Sequence, residues 1–128
     1  MANELILVVE DNEKNRKLAR DVLQFNGFQI IESDNAEDGV RLAREKQPAL
    51  ILMDFHLPGM NGIEALQCLR ADDATKNIPA IAFTASAMTE DRKKIMEAGF
   101  EGLQTKPIHV KEFVQAIKDV IARKSTAA

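Results

Sequence analysis

The chain contains no tryptophan, no tyrosine, one cysteine and no surplus of basic residues. Each scarcity closes off a class of function. Without Trp or Tyr, no ring of the usual kind is available to stack on a flavin. The single thiol, Cys68, has no partner for an internal disulfide. Neither a basic-then-apolar leader nor an apolar run long enough to span a bilayer is present, so a cytoplasmic protein is expected. Lys and Arg number 17 against 20 Asp and Glu, a net charge of -3, whereas a nucleic-acid binder should show a basic face. Histidine is scarce too. His56 and His109 have no Cys or second His at ligand spacing, which argues against a histidine metal site. Cys68 falls between Leu66 and Leu69 in a helical pattern, where a buried small apolar residue is expected rather than a reactive thiol. The 128 residues fit one domain with its own core, expected over about residues 4–122, with 123–128 as a frayed end.

What is present is a pair of short, almost wholly apolar runs. Leu5-Ile6-Leu7-Val8-Val9 and Leu50-Ile51-Leu52-Met53 lack polar alternation and read as strands buried on both faces, hence a parallel sheet flanked by helices. Helical and strand-like periods alternate along the rest of the chain. Leu18, Ala19, Val22 and Leu23 mark a helix stopped by Asn26-Gly27. A strand over Phe28–Ile31 follows. Asn35 can cap a helix with Ala36, Val40 and Ala43 on one face, ended by Pro48. After the Leu50 strand, Leu57-Pro58-Gly59-Met60-Asn61-Gly62 is turn chemistry, with Ile63, Leu66 and Leu69 as the inner face of the next helix. A strand at Ala80–Phe83, a helix from a Thr89 cap to Gly99 and a strand at Gly102–Thr105 precede the last helix. There Val110, Phe113, Val114, Ile117, Val120 and Ile121 form one stripe. Right-handed crossovers then predict a doubly wound (βα)5, flavodoxin-like α/β fold. Its five-stranded parallel sheet has the order 2-1-3-4-5, with two helices on one face and three on the other.

That order makes the first and third strands neighbours, and both end in acids: Glu10-Asp11 and Asp54. Three carboxylates would meet at the edge where open α/β sheets hold ligands, and folding alone gives no reason for the repulsion. A hard cation such as Mg²⁺, with oxygen ligands, is a reason, and it suggests phosphoryl chemistry. The simpler alternative is that Asp11 and Asp54 only cap the following helices. Thr84 and Lys106, at the ends of the fourth and fifth strands, add a hydroxyl and an ammonium group to the same edge.

With these residues in order, the sequence closely resembles the receiver domain of bacterial response regulators, over about residues 4–122. The resemblance rests on Glu10-Asp11, on Asp54 with the loop Leu57 to Gly62, on Thr84-Ala85 and on Lys106-Pro107. Thirty residues separate Asp54 from Thr84, and twenty-two more lead to Lys106. The stretch Val9-Glu10-Asp11-Asn12-Glu13-Lys14-Asn15-Arg16 is similar to stand-alone receivers of the DivK type and to receivers attached to hybrid histidine kinases. Because the chain starts at Met1 and ends after one domain, the stand-alone kind is expected.

The resemblance implies that Asp54 is the phosphoacceptor and takes its phosphoryl group from a phosphohistidine. It implies Mg²⁺ as cofactor, held by Asp11, Asp54, the backbone carbonyl of His56 and waters, with Glu10 holding a water. Lys106, fixed by a cis bond to Pro107, would supply the opposing cation, and Thr84 would bond the phosphoryl group. The His56 side chain would tune the lifetime of that group. A histidine kinase or a histidine phosphotransfer protein is the implied donor and a target protein the implied receiver of the output, without nucleic acid or membrane. The active form would be a monomer or a phosphorylation-dependent dimer. Receivers usually carry an aromatic residue three before the lysine, where this chain has Leu103. Two other readings compete. A Mg²⁺-dependent phosphohydrolase with Asp54 as nucleophile would place a second Asp two residues on, where this chain has His56, and no residues remain for a substrate cap. A flavodoxin-like nucleotide binder needs a phosphate-cradling loop after the first strand, and Glu10-Asp11-Asn12 would repel a phosphate.

Overall fold

Apolar runs and amphipathic segments alternate in a computed structural model, which describes residues 4–55, 57, 59–84, 89–105 and 110–126. The elements in chain order are β1 (Leu5–Val9), α1 (Glu13–Phe25), β2 (Gln29–Ser33), α2 (Ala36–Lys46), β3 (Leu50–Asp54), α3 (Gly62–Ala71), β4 (Ala80–Thr84), α4 (Thr89–Ala98), β5 (Gly102–Thr105) and α5 (Val110–Thr126). All strand pairings are parallel, and the five strands lie in the order β2-β1-β3-β4-β5. This is the predicted doubly wound sheet.

The sheet separates two cores. Side chains alternate across a strand, so Leu7, Val9, Ile51 and Met53 face one way, against Ala36 and Ala43 of α2, Leu66 and Leu69 of α3 and Ile95 of α4. Ile6, Val8, Leu50 and Leu52 face the other way, against Ala19 and Leu23 of α1 and Phe113, Ile117 and Val120 of α5. Phe83 and Phe113 meet in this second core with ring centroids 6.1 Å apart. At the amino-terminal edge, one arginine joins three elements. Arg70, near the end of α3, donates to the carbonyl of Ile78 at 2.7 Å and to Glu101 at 2.9 Å, and Glu101 accepts the Ala80 amide at 3.1 Å. The starts of β4 and β5 are thereby tied together.

Several boundaries and faces differ from the sequence reading. Phe28 is a buried part of the turn, not the start of β2: its amide bonds the Leu23 carbonyl at 3.1 Å while Gly27, at φ 91°, lets the chain reverse after α1. Leu18 is 44% exposed, because Ala19 and Leu23 occupy the inward stripe of α1. Val110, expected in the apolar stripe of α5, is 49% exposed at its first turn. Cys68 is exposed rather than buried, since Gly62, Ala65, Leu66 and Leu69 form the inner face of α3 and position 68 falls outside that arc. Thr89 is the first helical residue of α4. α5 runs from Val110 to Thr126.

Core and surface phenylalanines set a contrast that stability measurements can check. Phe113 is fully buried, and Phe113→Ala is expected to cost about 3–5 kcal/mol in urea unfolding. Phe25 is 92% exposed at the end of α1, so Phe25→Ala should change stability by less than about 0.5 kcal/mol.

Candidate functional site

Strand register builds the site. Val9 is paired with Met53, so the next residues, Glu10 and Asp54, emerge side by side from the carboxyl ends of β1 and β3. Asp54 is itself the last residue of β3 and is paired with Phe83 of β4, which is followed by Thr84. One carboxylate oxygen from each of Glu10, Asp11 and Asp54 lies within 4.8 Å of the others. Glu10 is fully buried, Asp54 is 3% exposed and Thr84 is fully buried, while Asp11 faces solvent.

The caps of the flanking helices decide between the two readings of these acids. α1 is capped by Asn12, whose side chain accepts the Asn15 amide at 3.0 Å. α3 is capped by Asn61, which accepts the Glu64 amide at 2.9 Å while Glu64 accepts the Asn61 amide at 3.3 Å. Neither Asp11 nor Asp54 caps a helix. The repulsion among them therefore serves something other than helix formation.

The backbone around the acids is tightly held. The Glu10 amide donates to the Ser33 carbonyl of β2 at 3.0 Å, and its carboxylate accepts the Asn12 amide at 3.1 Å. Beyond Asp54, the Phe55 amide donates to the Phe83 carbonyl at 2.9 Å, and the Phe55 carbonyl accepts the Gly62 amide at 3.1 Å. The first turn of α3 thus presses on the phosphoacceptor candidate's own peptide. A Cβ at Gly62 would sit 3.0 Å from the Phe55 Cα and 3.2 Å from the Asp54 carbonyl oxygen. Chemically, an all-oxygen, anionic donor set fits a hard divalent cation such as Mg²⁺, which prefers carboxylate and water oxygens.

Glu10, Asp11, Asp54 and Thr84 thus come to one edge, as the sequence predicts. Lys106, His56, Pro107 and His109 lie outside the described residues. Leu103, in the middle of β5, is partly buried and packs against the core shared with α2, α3 and α4. Two contributors went unread in the sequence. Gly62 looks like a turn residue and gives no sign of its approach to Phe55. Arg16 donates from Nη1 to the Glu10 carbonyl at 2.9 Å, a contact that depends on the phase of α1 set by its Asn12 cap.

Comparison with known proteins agrees with this geometry. The response regulator receiver domain family matches residues 6–118, and the chain belongs to that family of phosphoacceptor signalling domains. Among individual relatives, it is 42% identical to the polar-differentiation response regulator DivK of Brucella anthropi, over 91% of this chain and 94% of that protein. It is 40% identical, with the same coverage, to the protein of that name from Brucella suis. Of solved structures, the receiver domain of sensor histidine kinase PA1611 from Pseudomonas aeruginosa PAO1 superposes with a TM-score of 0.87 at 30% identity, covering 94% of this chain and 99% of that one. That structure has a magnesium ion coordinated in its active-site cleft. The chemotaxis response regulator CheY4 of Vibrio cholerae shares the fold, with a TM-score of 0.86 at 20% identity over 93% of this chain and 99% of that one. None of these likenesses supports the phosphohydrolase alternative. No helix among the described residues is long and apolar enough to cross a membrane.

The Gly62 contact is testable. Gly62→Ala places a methyl group against backbone that cannot swing aside, so it is expected to destabilise by about 1–3 kcal/mol in urea unfolding. The amides of Phe55 and Gly62 should exchange with solvent faster in the variant.

Proposed function

We propose that Asp54 accepts a phosphoryl group from a phosphohistidine of a histidine kinase or phosphotransfer protein, and that the modified chain regulates a partner protein. The observation that carries this reading is the buried Asp54 beside Glu10 and Asp11, three acids drawn together without capping duty. A carboxylate oxygen of Asp54 attacks phosphorus, the P–N bond breaks, and the imidazole leaves with the bonding pair, giving an acyl phosphate. The acidic site suits Mg²⁺, with Asp11, Asp54, the His56 carbonyl and waters as ligands and Glu10 holding a water. When bound, that ion neutralises charge between the approaching anions. Lys106 pairs with the phosphoryl group, and Thr84, at the end of β4, donates its hydroxyl to it. His56 tunes hydrolysis, and the chain catalyses its own phosphorylation and slow dephosphorylation. By its likeness to DivK, the protein acts as a stand-alone cytoplasmic regulator, either as an end point or as a relay step. An acidic net charge supports a protein rather than DNA as its target.

Acetyl phosphate serves as a small donor to test the acceptor. Labelling is expected only with Mg²⁺ present, and Asp54→Asn should abolish it; undiminished labelling of the Asn variant would overturn the assignment. Kinases and phosphotransfer domains from the source organism, compared for the rate at which each labels Asp54, identify the donor.

The switch is the second test. Leucine has no polar tip, so Leu103 stays packed in both states. Thr84, at the end of β4, then carries most of the change toward the α4–β5–α5 face. Thr84→Ala should still accept phosphate but lose most of the gain in partner affinity caused by beryllofluoride, a phosphoryl mimic. Leu103→Ala should chiefly lower stability. Full gain in Thr84→Ala together with none in a folded Leu103→Ala would make β5 the switch instead.

A further inference from the structure

We infer that Arg16 is a positioning residue for the acidic site. Its guanidinium, braced by Glu32 of β2, pins the Glu10–Asp11 peptide and so sets where Asp11 presents its carboxylate to a divalent cation. This inference rests on the proposal that the cluster takes Mg²⁺.

Asp11 is the exposed member of the cluster, and among the described residues its side chain makes no hydrogen bond or ion pair. The backbone therefore sets the point from which its carboxylate extends. A peptide is planar, so fixing the Glu10 carbonyl fixes the direction of the Asp11 amide and the position of its Cα. Arg16 Nη1 holds that carbonyl at 2.9 Å. The same guanidinium faces Glu32, with Nε 3.5 Å from Oε1, and both side chains are mostly shielded, at 21% and 30% exposure. The planar fork of arginine reaches both partners at once; a lysine ammonium, a single point of charge on a flexible stem, does not.

The contacts form a closed ring. The Glu10 carboxylate takes the Asn12 amide, Asn12 caps α1, the Arg16 amide bonds the Asn12 carbonyl at 2.9 Å, and the Arg16 side chain returns to the Glu10 carbonyl. Glu32 does a second job. An unbalanced cation beside the acids would oppose a divalent ion, and here Arg16 and Arg20, which both reach Glu32, are balanced by Glu32 together with Asp21, 3.2 Å from Arg20 Nε. The site gains the hydrogen bond without a net positive charge.

The test titrates Mg²⁺ calorimetrically into the full chain and follows amide hydrogen exchange in metal-free protein. Arg16→Lys keeps the charge but loses the fork, and is expected to weaken Mg²⁺ about tenfold, in the range of losses seen for groups that orient metal ligands. The Asp11 and Asn12 amides should exchange faster while core amides such as that of Phe113 stay protected. Glu32→Gln, at the far side of the bridge, should weaken Mg²⁺ in the same direction, and the double variant should be no weaker than the weaker single one. Wild-type affinity and exchange in both single variants would overturn the role of Arg16 while leaving the Mg²⁺ reading intact. Failure of the unaltered chain to bind millimolar Mg²⁺ would remove both.

Discussion

Repulsion among three carboxylates is the constraint on which this structure turns. Like charges within 4.8 Å of one another oppose folding, and two of the three residues have also been taken out of water. Something must hold them there. The strand pairing Val9 to Met53 brings Glu10 and Asp54 level, and the apolar interior of β1 and β3, buried on both faces, makes that pairing hard to shift. A slip by one residue would turn every apolar side chain of β1 toward the wrong core. The cores on either side of the sheet therefore act as the vice that keeps the acids together.

The fold was legible because its signals are redundant. Apolar runs of strand length, turn residues between them and helical stripes all point to the same alternation, and crossover handedness leaves few strand orders. The acids were legible for a related reason: they sit at strand ends, and strand ends in a parallel sheet share an edge. What escaped was contact geometry a residue or two finer than pattern. Leu18 and Val110 are apolar and near the right phase, yet the stripe of α1 is filled by Ala19 and Leu23 and that of α5 by Phe113 and Ile117. Cys68 differs from Leu69 by one step of the helix, enough to bring it to the surface. Arg16 is seen only once the cap of α1 is known, because a one-residue change of cap rotates it away from Glu10.

The caps show how neighbouring residues divide the labour. Asparagine at positions 12, 35 and 61 supplies a neutral acceptor to the starts of α1, α2 and α3. An aspartate cap would stabilise the helix equally well while spending its lone pairs on backbone amides. At α1 and α3 the cap is Asn rather than Asp11 or Asp54, and those two carboxylates face the cluster with Glu10 instead.

Arg70 gives the molecule a direction. By bonding the Ile78 carbonyl and Glu101, which in turn holds the Ala80 amide, it clamps β4 and β5 where they begin, at the edge opposite the acids. The two strands behave like beams fixed at one end. A force applied to either strand at the acidic edge would be shared at the root with the other strand and with α3, so the amino-terminal edge is built as a common frame. A domain anchored this way can change one surface while presenting the rest of itself unaltered.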